Sequence, residues 1–322
     1  MDIKNKIIFG FLQTLQSNKE SISYVVFYTL VEGVLVLAIP LTSSFVINSL
    51  IAHSYVSLMS LGFIISIIFI GIIFLRLIQE YIIEKFQQRV FVKEGFDVGE
   101  KAFNFKKENK TTHYPIDKLM NYFFDITTIQ KVFPIFILNG TALIVQIFLT
   151  LLLLLVFSMH LFFGALVLIV INILLIIFFG KNGVKFSLER SDAKHEAIHY
   201  LQKIPSSDVA EKEMFDGLEK RMSHYVDARQ NHFGIRLKQF GITFVIQGIM
   251  IAGFFVLGGY LVINGNMPIG EFVASEIIVV TLITALNSFV KQLDYIYEGI
   301  EGYYKVEILS SSLEGEGDLH VV

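Results

Sequence analysis

Between Thr141 and Phe179 the chain runs for thirty-nine residues with one basic residue, His160, and no acid. About 20 apolar residues, rising 1.5 Å each, cross a hydrocarbon core of about 30 Å. This run therefore holds two membrane crossings back to back. Charged residues make up 17% of the 322-residue chain and hydrophobic ones 54%, whereas a soluble domain carries about a quarter charged residues. An ordinary cytosolic enzyme is excluded, and the chain reads as a polytopic membrane protein. The absence of Cys removes a disulfide framework, a thiol nucleophile and a thiolate metal site. With no Trp, an interfacial aromatic belt falls to the Tyr and Phe residues.

Six spans are legible: Ile22–Leu50, Leu58–Ile78, Val132–Met159, Leu161–Gly180, Gly241–Ile263 and Gly270–Val290. Three links are short, among them the Asn-Gly turn at Asn264–Ile269. The other two, Gln79–Lys131 and Lys181–Phe240, are about fifty to sixty residues long. Of the 26 Lys and Arg, three precede span one, nine lie in the first long link and eleven in the second. Lys291 and Lys305 follow span six, Arg76 sits at the inner end of span two, and no short link carries any. Positive charge stays inside, so both termini and both long links are expected on the cytoplasmic side of a bacterial inner (plasma) membrane.

No cleavable signal peptide is evident, because the first apolar run is interrupted by Gln13 and Thr14. Residues 1–20 instead put Ile3, Ile7, Ile8, Phe11, Leu12 and Leu15 on one helical face, which suits an amphipathic elbow lying in the interface. The long links repeat apolar residues at three- and four-residue steps, so they too are expected to be helical. An unbroken helix from Leu58 to Asn109 would be about 78 Å long. Breaks fall near Lys110–Pro115 and Lys203–Asp208, where Pro115 and Pro205 disfavour helix in the residue before them. Two helical hairpins hanging below the membrane follow.

This layout resembles the transmembrane domain of a type I ABC exporter over nearly the whole chain: residues 21–310, with 311–322 as a polar tail or linker stub. The run GGYLVINGNMPIGEFVASEIIVVTLITALNSFVKQLDYIYEGIEGYYKVEIL (258–309) is similar to that family's last two spans. YVDARQNHFGIRLKQFG (225–241) resembles the fifth helix of RTX-toxin and peptide-secreting exporters. LMNYFFDITTIQKVF (119–133), with Asp125, resembles the helix after the first cytoplasmic elbow. Where the family commonly has Gly and then Arg, this chain has Ile116 and Asn121.

The resemblance implies an all-α fold of six transmembrane helices with two long cytoplasmic hairpins, arranged as a domain-swapped dimer in which spans four and five cross to the partner. It implies the membrane-spanning subunit of an ATP-driven exporter of peptide or protein, partnered by a second transmembrane subunit, identical or homologous, by membrane lipids and by an ABC-type nucleotide-binding subunit. The alternatives are an ion-driven secondary transporter and a non-transporting scaffold. No G-x-x-x-x-G-K-[ST] loop occurs; the nearest text, GKNGVKFS at Gly180–Ser187, lacks the spacing and follows a membrane span. Hence no enzyme activity and no cofactor are expected on this chain. ATP and Mg belong at a separate subunit or a missing C-terminal domain.

The family's coupling helices, which dock on the ATPase, map by position to Thr111, Thr112, His113 and Tyr114 in the first hairpin and to His199, Tyr200, Leu201 and Gln202 in the second. A solvated turn is the plainer reading of either tip. Within the membrane, charge is expensive and marks function. Glu32 lies near mid-bilayer, either lining a cavity or pairing with a cation, and Arg76 is close enough to the interface to snorkel. Glu276, Thr284, Asn287 and Asp294 form a polar stripe on span six at 100° per residue, which faces either a translocation cavity or a packed helix. His195 and His199 are four apart but lack the acidic H-E-x-x-H core, so no metal site is expected. Lys106, Lys107 and Lys110 form a cytoplasmic charge cluster rather than a nucleic-acid surface.

Overall fold

The structure, a computed structural model, describes residue 16 and residues 18–108, 116–208 and 210–314. Most of the expected elbow and the first hairpin tip, with Thr111, Thr112, His113 and Tyr114, lie outside the described residues. Residues 19 and 20, read as part of the elbow, already belong to the first described helix.

Span one is two helices, α1 (Lys19–Val36) and α2 (Ala38–Ile51). Pro40 has no N–H to return to the Val36 carbonyl, so the ladder breaks one turn ahead of it, at Leu37. α3 (Tyr55–Lys107) is unbroken over 53 residues, about 80 Å of helix, as the lack of Pro predicts. After the undescribed tip come α4 (Ile116–Asn121), a 3₁₀ turn at Tyr122–Asp125, α5 (Ile126–Pro134) and a π turn at Ile135–Gly140. α6 (Thr141–Phe157) and α7 (Met159–Phe179) are the two back-to-back crossings, separated only by the extended Ser158. α8 (Gly183–Lys203) and α9 (Glu211–Ile263) form the second hairpin, with a 3₁₀ turn at Ile204–Ser206 between them. Asn264 caps the α9 end by donating to the Tyr260 carbonyl at 3.0 Å, and Gly265 takes a φ of 71°, the left-handed geometry this turn needs. α10 (Ile269–Glu314) completes the chain. Residues 311–314, read as tail, are its last turn, and Leu313 is buried there.

Six helices are long and apolar enough to cross a membrane, and no strand occurs among the described residues. α10 is the shared wall, packing against α2, α5, α6 and α9. Three apolar clusters are stacked along it. Leu154, Leu161, Ile169, Met250, Phe254 and Leu282 fill the end nearest the short turns. Val25, Ile83, Phe86, Ile126, Ile129 and Val306 fill the level where the hairpins begin. Val98, Phe105, Leu119, Tyr122, Leu309 and Leu313 tie the far ends of α3 and α10 together.

Candidate functional site

A cavity of about 420 Å³ opens where α1, α2, α3, α6 and α10 converge. The break between α1 and α2 at Leu37 lies on its wall, and Gly33 lets α1 approach Val145 and Leu149 of α6 more closely than a side chain would allow. Its walls combine apolar residues with Thr29, Glu32, Arg76, Gln146, Thr150, Thr281, Thr284 and Ser288. At its mouth Arg76 donates Nε to Glu32 Oε1 at 2.6 Å, and Gln79 donates to Glu32 Oε2 at 3.0 Å. Glu32 lines this cavity and pairs with Arg76, which puts it near the hairpin end of the spans rather than near mid-bilayer. The exposure is uneven. The Arg76 side chain is 66% exposed and that of Glu32 only 14%.

The stripe on span six divides. Thr284 lines the cavity. Asn287 does not; it exchanges two hydrogen bonds with Gln247 of α9, at 2.6 and 2.9 Å. Asp294 turns the same way, to Arg236 of α9 at 2.7 Å. Glu276 is half-buried and outside the cavity lining. The cavity face of α10 is instead Ile278, Val280, Thr281, Thr284, Ala285 and Ser288.

Sequence reasoning missed the matching seam on α9. Gln239, Thr243 and Gln247 follow one another at four-residue steps, and all are buried. Gln239 donates to the Tyr297 hydroxyl at 3.0 Å, and Thr243 to Asn172 of α7 at 3.2 Å. Regular polar spacing in an apolar helix was the available signal.

Below the membrane, the second hairpin is held to the rest of the chain by ions. Asp125 accepts from Lys194 at 3.2 Å and lies 2.7 Å from His195 Nε2. Glu301 accepts from Ser187 at 3.0 Å, Arg190 at 3.2 Å and Lys194 at 3.4 Å. Arg190 also reaches Glu298 at 3.2 Å, and Lys305 pairs with Asp192 while sitting over the Tyr122 ring. Burial alone would raise the Asp125 pKa, but the His195 hydrogen bond and the Lys194 charge outweigh it and hold the carboxyl below its ordinary range. Burial likewise opposes the charge on Lys194, and Asp125 and Glu301 overcome it, raising its pKa. In the single chain this hairpin is thus docked on its own α10. α8 supplies Arg190 and Lys194 to carboxylates of Asp125 and α10, and its Asp192 takes Lys305 of α10 in return.

At the second tip Tyr200 is turned inward. Its hydroxyl donates to the Met214 carbonyl at 3.1 Å, its ring lies 4.1 Å from the Arg221 guanidinium, and Gly217 makes room for it. Gln202 and Asn121 exchange hydrogen bonds at 2.8 and 3.2 Å, which joins the tip to α4. His199 is half-buried, and Leu201 is exposed. Among the described residues no group of His, Asp and Glu could hold a metal ion.

A six-helix membrane domain with two long hairpins on one side has the transmembrane fold of a type I ABC exporter. The chain is similar to a bacterial Atm1-family ABC exporter solved with ATP bound, with a TM-score of 0.72 and 10% identity over 92% of this chain and 54% of that one. It therefore spans about half the length of that exporter. Neither family models nor curated proteins match it in sequence.

Proposed function

We propose that this chain is the membrane-spanning subunit of an ATP-driven exporter, forming the translocation path for a peptide or protein and driven by separate ATPase subunits that dock at the hairpin tips. The observation that carries this reading is the polar-walled cavity at membrane depth, set in an exporter fold whose long helices run from it to the tips. The chain itself carries out no chemistry. It alternates between states that expose the cavity to either side, with both termini cytoplasmic. At the second tip Leu201 offers the apolar contact, while Tyr200 and Gln202 hold the tip in shape.

A second copy is the favoured transmembrane partner. α9 leaves Phe215, Met222, Val226, Phe233 and Leu237 exposed at alternating seven- and four-residue steps, a stripe spaced for a helix partner. Exchange of the α8–α9 hairpin between two copies would replace its ion pairs by the same pairs in trans.

The test uses the natural absence of Cys. Thr284→Cys, in native membranes, is labelled with a membrane-impermeant maleimide. The labelling rate should change when ATP and vanadate are added, whereas Asn287→Cys should react slowly throughout. A Thr284→Cys rate indifferent to nucleotide would overturn ATP-driven alternation.

A further inference from the structure

We propose that the mouth of this cavity binds an anionic phospholipid, with the phosphate on the Arg76 guanidinium and an acyl chain in the groove between α1 and α6. Arg76 spends only Nε on Glu32, and among the described residues its two amino nitrogens have no hydrogen-bond partner. They form one side of a planar fork, the geometry that takes phosphate oxygens. Arg76 lies eighteen residues along α3 from Leu58, roughly 27 Å by helical rise, which is the depth of the inner headgroups in a core of about 30 Å. An exposed guanidinium at that depth snorkels among the lipid phosphates.

Beside it runs an open groove of about 510 Å³ between α1 and α6, which shares Leu149 with the cavity. Leu30, Val34, Ile144 and Phe148 line it and are exposed, and no polar residue contributes to it. That chemistry selects the occupant. A peptide laid there would leave its own N–H and C=O groups unsatisfied, whereas an acyl chain has none to satisfy. The headgroup is selected by charge: the partnerless amino nitrogens of Arg76 favour a lipid that carries net negative charge over one whose own ammonium balances its phosphate. The inference rests on the proposed cavity being open to the membrane, and it assigns the lipid to the mouth, not to the cargo.

The purified chain, reconstituted without an ATPase, is irradiated with phosphatidylglycerol bearing a photoactivatable acyl chain, or with phosphatidylcholine bearing the same chain, and the adducts are mapped by mass spectrometry. Phosphatidylglycerol should label the Leu30–Leu35 and Ile144–Leu149 segments about tenfold more than phosphatidylcholine, the worth of a charged hydrogen bond. Arg76→Gln should bring the two lipids level. Should that variant fail to fold by circular dichroism, Val34→Trp fills the groove without touching the charge and should lower labelling by both lipids. Equal labelling of the unaltered chain by the two lipids overturns the proposal, as does an unchanged ratio in Arg76→Gln or undiminished labelling in Val34→Trp. Displacement of the lipid by an apolar peptide with a free carboxyl terminus overturns it too, in favour of a peptide. Because no nucleotide or transport is involved, this outcome and that of the Thr284→Cys assay are independent.

Discussion

Replacing Glu301 with Gln tests how the second hairpin is held. Gln keeps the volume and an acceptor oxygen, so the change removes charge from a side chain that is 6% exposed and takes three donors from α8. Arg190 retains Glu298 at 3.2 Å and Lys194 retains Asp125 at 3.2 Å, so the loss belongs at the lower end for a broken buried pair, about 3 kcal/mol. For a chain of this size that is an apparent Tm lower by about 6 °C, read by far-ultraviolet circular dichroism in detergent at one scan rate, since such unfolding is irreversible. Arg190→Gln combined with Glu301→Gln should cost less than the sum of the two single changes, by about 1–2 kcal/mol, because the pair acts as a unit. A fall below about 1 °C for Glu301→Gln, or strict additivity in the double variant, would refute the claim that this network docks the hairpin.

Three further outcomes follow from the same geometry. His232 is buried, and that burial, with the nearby charges of Arg190 and Arg236, lowers its pKa to about 4. Below its ordinary value of about 6.5 the unfolded chain takes up a proton that the folded one refuses, so stability falls as pH drops towards 4, by about 2 kcal/mol at pH 5. His232→Gln should flatten that part of the Tm profile between pH 7 and 5, and an unchanged profile would exclude it. Asn287→Leu should cost about 1–3 kcal/mol by stranding Gln247, while adding Gln247→Leu should restore most of it, as thermal melts would show. Leu201→Asp should leave insertion and Tm unaltered yet abolish the nucleotide response of Thr284→Cys, a result incompatible with the tip being a mere solvated turn.

The spans and the length of α3 were legible because hydropathy and the absence of Pro are local properties. The division of span one was half legible: Pro40 marks a kink, but the break itself sits at Leu37, a turn earlier. The ion network was not legible at all. Asp125 and His195 are 70 residues apart, and Ser187 and Glu301 are 114 apart, so no window of sequence holds both partners. The stripe on span six shows the limit of periodicity. It put Glu276, Thr284, Asn287 and Asp294 on one face, whereas Gln247 and Arg236 of another helix draw Asn287 and Asp294 to protein and leave Thr284 on the cavity.

An unbroken α3 also has mechanical meaning. Taking the Arg76–Glu32 contact as a fulcrum, about 46 Å of helix extends to Lys107 on one side and about 27 Å to Leu58 on the other. A tilt of about 5° then carries the Lys107 end some 4 Å and the Leu58 end only about 2 Å. Any displacement at the Lys107 end is geared down in travel and up in force at the Leu58 end, and the stiffness of a continuous hydrogen-bond ladder keeps that ratio fixed.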